Sequence, residues 1–222
     1  MQFQVARLHD IVNKIKLYSK LNFKNAIDVN MVLMVDELEL EDINKLISAG
    51  IQRVGFNKWQ QYEEIQYLLL PCKKHFYGDL EENFEEIMVN FDVIESLKTL
   101  DEAKKINHWS VISGKVKDIF VQINVVNEND EYGVKPSEFN DFVWDLAKFS
   151  GLRIKGISAF VPNTGNSRLS KTILRKAGVL FKLLHSRFKG IDFFSVNQGL
   201  EIADLVADGV NLVRIGVKSL TN

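Results

Sequence analysis

The stretch Ile119-Phe120-Val121-Gln122-Ile123-Asn124-Val125 is the clearest strand in this sequence. Five of its seven residues are apolar, and none is charged. Such runs are typical of strands buried on both faces in parallel α/β sheets. A polar loop at 127–131 follows, and the pattern then predicts a helix over 136–149, with Pro136 in its first turn. This stretch therefore predicts one strand–helix unit of an α/β fold.

The same unit recurs along the whole sequence. Apolar runs predict eight strands, over 29–35, 52–56, 74–77, 91–94, 119–125, 153–160, 191–196 and 211–215. Amphipathic spacing predicts helices over 5–20, 40–49, 59–70, 80–89, 99–112, 136–149, 167–188 and 200–207. We therefore predict one domain over 1–222, a single (β/α)8 TIM-type barrel with an extra N-terminal helix. The alternative is a doubly wound open sheet, which usually has a glycine-rich turn after its first strand. The corresponding turn here, Asp36-Glu37-Leu38-Glu39, is acidic and lacks glycine.

Composition narrows the functional classes. The 222 residues are 46% hydrophobic with a formal net charge of -1, which argues against nucleic-acid or membrane partners. No apolar run reaches the roughly 20 residues that span a bilayer, and the first residues contain no apolar signal core. The single cysteine, Cys72, excludes an internal disulfide, and the four histidines lack metal-binding spacing. We therefore expect a cytoplasmic monomer without a metal site.

The last two predicted strands end in residues suited to an anion. Arg214 lies within an apolar strand, where a charge needs a partner, and Gly216 at the strand end allows backbone N–H groups to approach a ligand. Ser195 and Asn197 end the preceding strand. In TIM barrels phosphate often binds after strands seven and eight. The same residues also suit a structural ion pair and helix capping, so both interpretations stay open.

Short motifs at the predicted strand ends resemble those of the pyridoxal phosphate homeostasis proteins, the single-barrel YggS-like relatives of the alanine racemase N-terminal domain. The resemblance runs from about Val32 to Leu220. Val213-Arg214-Ile215-Gly216 matches the family's V-R-I-G outright. Weaker matches are Val54-Gly55-Phe56-Asn57 with F-G-E-N, His75-Phe76-Tyr77-Gly78 with H-F-I-G, Val121-Gln122-Ile123-Asn124 with I-Q-V-N, and Gly156-Ile157-Ser158-Ala159 with G-L-M-A.

The resemblance implies a set of cofactor-binding residues. Arg214 matches the arginine that faces the pyridine nitrogen, Ser195 matches the phosphate hydroxyl, and Gly216 and Val217 match the backbone phosphate contacts. Asn57 and His75 lie at the neighbouring ends of the second and third strands, and Asn197 follows Ser195. We expect Ser195, Arg214 and Gly216 to converge at the mouth of the barrel.

The family's cofactor lysine is missing from this sequence. The motif A-V-S-K-T-K is replaced by Met34-Val35-Asp36-Glu37-Leu38-Glu39, so the lysine position falls on Asp36 or Glu37. A carboxylate cannot form a Schiff base, which needs an amine. We expect one of these two carboxylates to form an ion pair with Arg214, because barrel closure brings the first and last strands together.

Four functions remain open. The first is a non-catalytic family member that binds pyridoxal phosphate or another small phosphorylated molecule weakly and without a covalent bond. The second is a working cofactor carrier that holds pyridoxal phosphate non-covalently or through another lysine, such as Lys58. The third, a racemase or lyase, also needs the missing lysine. The fourth is an enzyme with new acid–base chemistry on Asp36, Glu37 and His75. We favour the non-catalytic interpretation.

Overall fold

Eight parallel strands close into a barrel in the computed structural model, which describes residues 5–22, 29–126, 132–162 and 165–216. The strands are β1 (Asn30–Met34), β2 (Arg53–Phe56), β3 (Lys73–Phe76), β4 (Val93–Leu97), β5 (Lys117–Ile123), β6 (Leu152–Ala159), β7 (Phe193–Asn197) and β8 (Leu212–Gly216). Each strand pairs with the next in sequence, and β8 returns to β1 over Asn30–Met34 against Leu212–Gly216. The predicted TIM-type barrel is confirmed, and the open sheet is wrong.

Helices surround this barrel and alternate with its strands. They are α1 (Val5–Asn22), α2 (Leu40–Ser48), α3 (Trp59–Ile65), α4 (Phe84–Asn90), α5 (Leu100–Ser113), α6 (Phe139–Leu146), α7 (Ser167–Arg187) and α8 (Ile202–Ala207). The predicted extra helix is α1, which packs against α8. The main core lies between the helices and the outer face of the barrel, where residues such as Phe56, Phe76 and Phe194 are completely buried.

Three helices are clearly shorter than the sequence pattern predicts: those expected over 59–70, 80–89 and 136–149, the last of which runs only from Phe139 to Leu146. In the first two, side chains hold the flanking backbone in other conformations. The helix expected over 59–70 ends at Ile65, since the Asn44 side chain donates to the Leu68 carbonyl at 2.9 Å and accepts from the Leu70 amide at 2.9 Å. The helix expected from residue 80 begins at Phe84. There Asp79 accepts a hydrogen bond from the Glu81 amide, a local turn that competes with helix.

The fourth strand is displaced from its predicted position. The sequence pattern places it over 91–94, but β4 runs from Val93 to Leu97 and carries Glu95 and Ser96 into the barrel wall. The predicted strand ends at Ile94 because the charged residue that follows, Glu95, interrupts the apolar run and so indicates the end of a buried strand. The strand continues because Glu95 has buried partners inside the barrel.

Candidate functional site: a buried ionic cluster under the barrel mouth

The inside of the barrel is divided into an apolar floor and a polar layer. The floor consists of Val32, Val93, Phe120 and Leu212, with Met34 and Phe193 packed against them. One inward-facing position further along β4 and β8, the side chains become Glu95 and Arg214. Because parallel strands share one direction, this polar layer lies nearer the carboxyl ends of the strands, the end where TIM barrels carry their sites.

Glu95 is the centre of the polar layer, and its side chain is completely buried. Its Oε1 lies 2.5 Å from His75 Nδ1, and its Oε2 accepts from Ser195 Oγ at 2.6 Å and from Arg214 Nη1 at 3.1 Å. The Ser158 hydroxyl donates to the main-chain carbonyl of Glu95. Since an ionised carboxylate only accepts hydrogen bonds, Nδ1 is the protonated nitrogen of His75. Four strands, β3, β4, β7 and β8, thus meet at one carboxylate.

Arg214 is held by several strands at once and is only 3% exposed. Besides its contact with Glu95, Nη1 donates to Ser195 Oγ at 2.8 Å, and Nη2 donates to the Ala159 carbonyl at 2.8 Å. The Tyr77 ring lies over the guanidinium, with 4.1 Å between the ring centroid and Arg214 Cζ. The guanidinium therefore has its charge compensated and its face covered within the protein itself.

The ion pair of this cluster is formed by Glu95 and Arg214. Burial by itself would raise the pKa of Glu95, but the hydrogen bond and charge of His75, the charge of Arg214 and the hydrogen bond from Ser195 outweigh it and hold that pKa below its ordinary value. Glu95 is thus an anion beside a permanently charged arginine. A buried pair of this kind contributes little net stability compared with apolar residues, yet removing one partner costs about 3–5 kcal/mol.

Within the described part of the chain, two residues of this cluster leave a buried polar atom incompletely satisfied, His75 at Nε2 and Tyr77 at its hydroxyl. The Tyr77 hydroxyl makes no hydrogen bond of ordinary geometry within the described residues, but Tyr132 is close enough to interact with it. Burial raises the pKa of Tyr77 well above its usual range, with Arg214 opposing and Tyr132 adding to the rise. A desolvated cation–π contact gains about 2 kcal/mol, whereas an unsatisfied buried hydroxyl costs about 1–3 kcal/mol. The cation–π contact and the incompletely satisfied hydroxyl therefore have opposite effects on stability.

Some of the predicted site residues come together and others do not. Ser195 and Arg214 are in direct contact, and His75 reaches them through Glu95. Gly216 ends β8 two residues beyond Arg214 and is exposed. Val217 lies outside the described residues.

Two predicted ligands make their contacts outside the Arg214 cluster. Both ends of the Asn197 side chain bind the Val161 backbone, the oxygen accepting from the amide at 2.7 Å and the nitrogen donating to the carbonyl at 2.9 Å. Asn57 is exposed and lines a separate cavity of about 430 Å³ with Lys58. The structure therefore uses Asn197 to join the ends of β6 and β7.

The ion pair predicted for Arg214 is formed with a different carboxylate. We expected Asp36 or Glu37, and β1 does lie beside β8, but the partner is Glu95 of β4. Asp36 instead accepts a hydrogen bond from the Asn57 amide at 2.8 Å, which ties together the ends of β1 and β2. Burial raises the pKa of Asp36, while the Asn57 amide and, to a smaller degree, the charge of Lys58 oppose the rise. Glu95 was missed because it was not included in a predicted strand.

The structure also bears on the position of Cys72, on a metal site and on membrane-spanning helices. Cys72 precedes β3 and so lies at the opposite end of the barrel from the mouth. Within the described ranges, no group of three or more histidine, cysteine, aspartate or glutamate side chains is arranged to hold a metal ion. None of the described helices is long and apolar enough to cross a membrane.

Comparison with known proteins identifies relatives in sequence. A pyridoxal phosphate homeostasis protein of Pasteurella multocida is 25% identical over 184 residues, which cover 80% of this chain and 79% of that protein. The protein of the same name from Haemophilus influenzae is 24% identical over 216 residues, covering 94% and 91% of the two chains. No family model matches the chain.

Solved structures share the fold. PipY of Synechococcus elongatus without pyridoxal phosphate has a TM-score of 0.81 at 17% identity, covering 98% of this chain and all of PipY. PipY with pyridoxal phosphate bound has a TM-score of 0.76. Alanine racemase of Clostridium difficile has a TM-score of 0.75 at 16% identity and matches this chain over 57% of its own length. Taken together, these comparisons show that the chain is similar in sequence to pyridoxal phosphate homeostasis proteins and shares the barrel fold of PipY and alanine racemase.

Proposed function

We propose that this protein is a non-catalytic member of the pyridoxal phosphate homeostasis (YggS-like) family that binds pyridoxal phosphate, or another small phosphorylated molecule, weakly and without a covalent bond. The observation that carries the proposal is the contact of 3.1 Å between Arg214 and Glu95 in the buried layer of the barrel. The charge that would attract an anionic ligand is already compensated by a residue of the protein.

The residues present do not fit a covalently held cofactor. The resemblance places the cofactor lysine at Asp36 or Glu37, and neither side chain has an amine to form an imine with the pyridoxal aldehyde. Asp36 is also occupied by its hydrogen bond to the Asn57 amide. We therefore assign no catalytic step to the cofactor in this protein.

The remaining pocket supports weak anion binding. Ser195 Oγ already donates to Glu95 and accepts from Arg214, so a phosphate would have to replace bonds inside the protein instead of filling free positions. Separating Arg214 from Glu95 costs free energy that ligand contacts must offset. We expect the dissociation constant of the unmodified protein for pyridoxal phosphate to lie far above the nanomolar range. Isothermal titration calorimetry measures this constant.

Covalent attachment is tested by reduction with borohydride. The purified protein is incubated with pyridoxal phosphate at neutral pH, reduced and digested, and its peptides are analysed by mass spectrometry. We expect no site-specific pyridoxyl-lysine, and no visible absorbance band from an internal imine before reduction. A denatured sample treated in parallel measures nonspecific modification of exposed lysines.

A second candidate function is a working carrier that uses Lys58. This lysine is exposed, immediately follows the carboxyl end of β2 and lines the cavity of about 430 Å³, with Asp36 close enough to interact with its charge. Selective labelling of Lys58 that disappears in Lys58→Arg would favour this function over the non-catalytic one. The variant keeps the positive charge, so a loss of labelling would report the missing amine.

New acid–base chemistry on Asp36, Glu37 and His75 receives less support. His75 is only 3% exposed, and its Nδ1 is committed to Glu95, whereas Asp36 is bound to the backbone at the end of β2. General acid–base catalysis needs each group within hydrogen-bond reach of the substrate. The buried position of His75 does not favour direct contact with a substrate at the mouth.

A further inference from the structure

Tyr77 is the residue that covers Arg214. It directly follows β3, at the carboxyl end of the strands where the barrel opens. Because side chains alternate along a strand, Phe76 packs into the outer core while His75 and Tyr77 face the interior. The Tyr77 ring thereby lies 4.1 Å from the Cζ atom of Arg214.

We propose that Tyr77 is an internal cover on Arg214 that determines which anions this site accepts. A small anion without a ring can approach the mouth while Tyr77 stays in place. A phosphorylated ligand with a planar ring has to displace the tyrosine ring in order to contact the guanidinium. This inference rests on the proposed function and adds the residue that sets the ligand class.

Two observations indicate that the ring can move. The buried Tyr77 hydroxyl makes no hydrogen bond of ordinary geometry within the described residues, although Tyr132 is close enough to interact with it, so no well-formed hydrogen bond anchors the ring. In addition, Gly216 is exposed, and a Cβ atom built there would meet no described atom within 4 Å. Among the described residues there is consequently space near Arg214 on the side of the mouth.

The backbone beside Tyr77 is more constrained than its side chain. A Cβ atom at Gly78 would lie 2.1 Å from the Asn57 carbonyl oxygen, so the chain passes very close to the end of β2. The Tyr77 amide also donates to the Phe56 carbonyl at 2.9 Å. Access to Arg214 therefore depends on a rotation of the Tyr77 side chain and does not require the β3–α4 loop to open.

The cover is tested first by the chemical accessibility of Arg214. Phenylglyoxal modifies accessible arginines, and peptide mapping by mass spectrometry gives the rate for each one. We expect Tyr77→Ala to raise the rate at Arg214 at least about tenfold, the factor for losing a contact of cation–π strength. Tyr67→Ala is the matched control, because Tyr67 is 91% exposed in the turn after α3. It should leave the rate at Arg214 unchanged.

Ligand class is tested in the same proteins by calorimetry with pyridoxine 5′-phosphate and with inorganic phosphate. Pyridoxine 5′-phosphate has the ring and the phosphate but no aldehyde, so it forms no imine with lysine. We expect Tyr77→Ala to bind it about tenfold more tightly than the unmodified protein does, with little change for inorganic phosphate. Tyr77→Phe keeps the ring and should behave like the unmodified protein.

The outcomes separate this inference from the proposed function. The proposal that Tyr77 covers Arg214 is refuted if phenylglyoxal modifies Arg214 at the same rate in the unmodified protein and in Tyr77→Ala. It is also refuted if both proteins bind pyridoxine 5′-phosphate with the same affinity. If neither ligand binds any of the proteins, the proposed function fails, and faster modification of Arg214 in Tyr77→Ala still supports the cover. Circular dichroism checks that each variant folds, and Tyr77→Leu replaces Tyr77→Ala if the alanine variant does not.

Discussion

Replacing Glu95 with glutamine tests the buried cluster directly. Glu95→Gln keeps the size of the side chain but removes its charge and turns one acceptor oxygen into a donor. In the unmodified protein both side-chain oxygens of Glu95 accept hydrogen bonds. His75 Nδ1 lies 2.5 Å from one oxygen, and Ser195 Oγ and Arg214 Nη1 lie 2.6 and 3.1 Å from the other. With the amide oxygen toward Ser195 and Arg214, the amide NH2 meets His75 Nδ1, which must then change from donor to acceptor, and Arg214 loses its counter-charge.

The expected loss of stability follows from burial. Glu95 is completely buried and Arg214 is 3% exposed, so solvent cannot replace the missing charge. Since glutamine creates no cavity, the cost is that of breaking a buried pair, about 3–5 kcal/mol of unfolding free energy. Urea denaturation followed by circular dichroism measures it as a lower midpoint with an unchanged slope.

Two further variants complete the experiment. Glu64→Gln makes the same chemical change on an exposed residue of α3 and should alter stability by less than about 0.5 kcal/mol. Combining Glu95→Gln with Arg214→Met should cost less than the sum of the two single changes, by about 1–3 kcal/mol. A loss below about 1 kcal/mol for Glu95→Gln, or strict additivity in the double variant, would refute the reasoning.

Three more predictions follow from the site and the barrel wall. The pKa of Glu95 lies below its ordinary 4.5, so its stabilising contribution is complete above pH 4.5 and declines as the pH falls below that value. Stability measured against pH should therefore fall less steeply in acid for Glu95→Gln. Lys117 donates to the Met88 and Phe91 carbonyls, and burial lowers its pKa from 10.5 to about 8. Between pH 8 and 10.5 the Lys117 amine is protonated more fully in the unfolded chain than in the folded protein. The free energy of unfolding should therefore rise over this interval by roughly 1–3 kcal/mol, and Lys117→Met should remove the rise. Finally, Glu37→Lys should acquire a pyridoxyl group at residue 37 after incubation with pyridoxal phosphate and borohydride reduction, detected by mass spectrometry.

For each of these three predictions a particular result would contradict the reasoning. An acid profile of Glu95→Gln parallel to that of the unmodified protein would show that Glu95 does not contribute through its ionisation. A flat alkaline profile of the unmodified protein would contradict the lowered pKa of Lys117. If Glu37→Lys remains unlabelled, Asp36→Lys tests the alternative alignment, and failure of both would mean that the rest of the pocket does not accept the cofactor.

The barrel itself could be predicted because its signal is local. Each buried strand, such as 119–125, is a run of apolar residues, and each run is followed by a helical pattern. Repeating this unit eight times leaves few ways to bury every strand on both faces. The family resemblance was also readable, because V-R-I-G and the weaker motifs occur in the right order at predicted strand ends.

The sequence by itself also determined that Arg214 must have a partner, since a charge in an apolar strand cannot remain uncompensated. Only the tertiary structure decided which partner it has. Barrel closure places β1 beside β8, as expected, yet Asp36 binds the Asn57 amide and Glu95 reaches Arg214 from β4 across the interior. The pairing joins residues 119 positions apart, and it depends on strand registers that bring inward-facing side chains to the same level. No local pattern encodes that level, because it is set by the closure of all eight strands together.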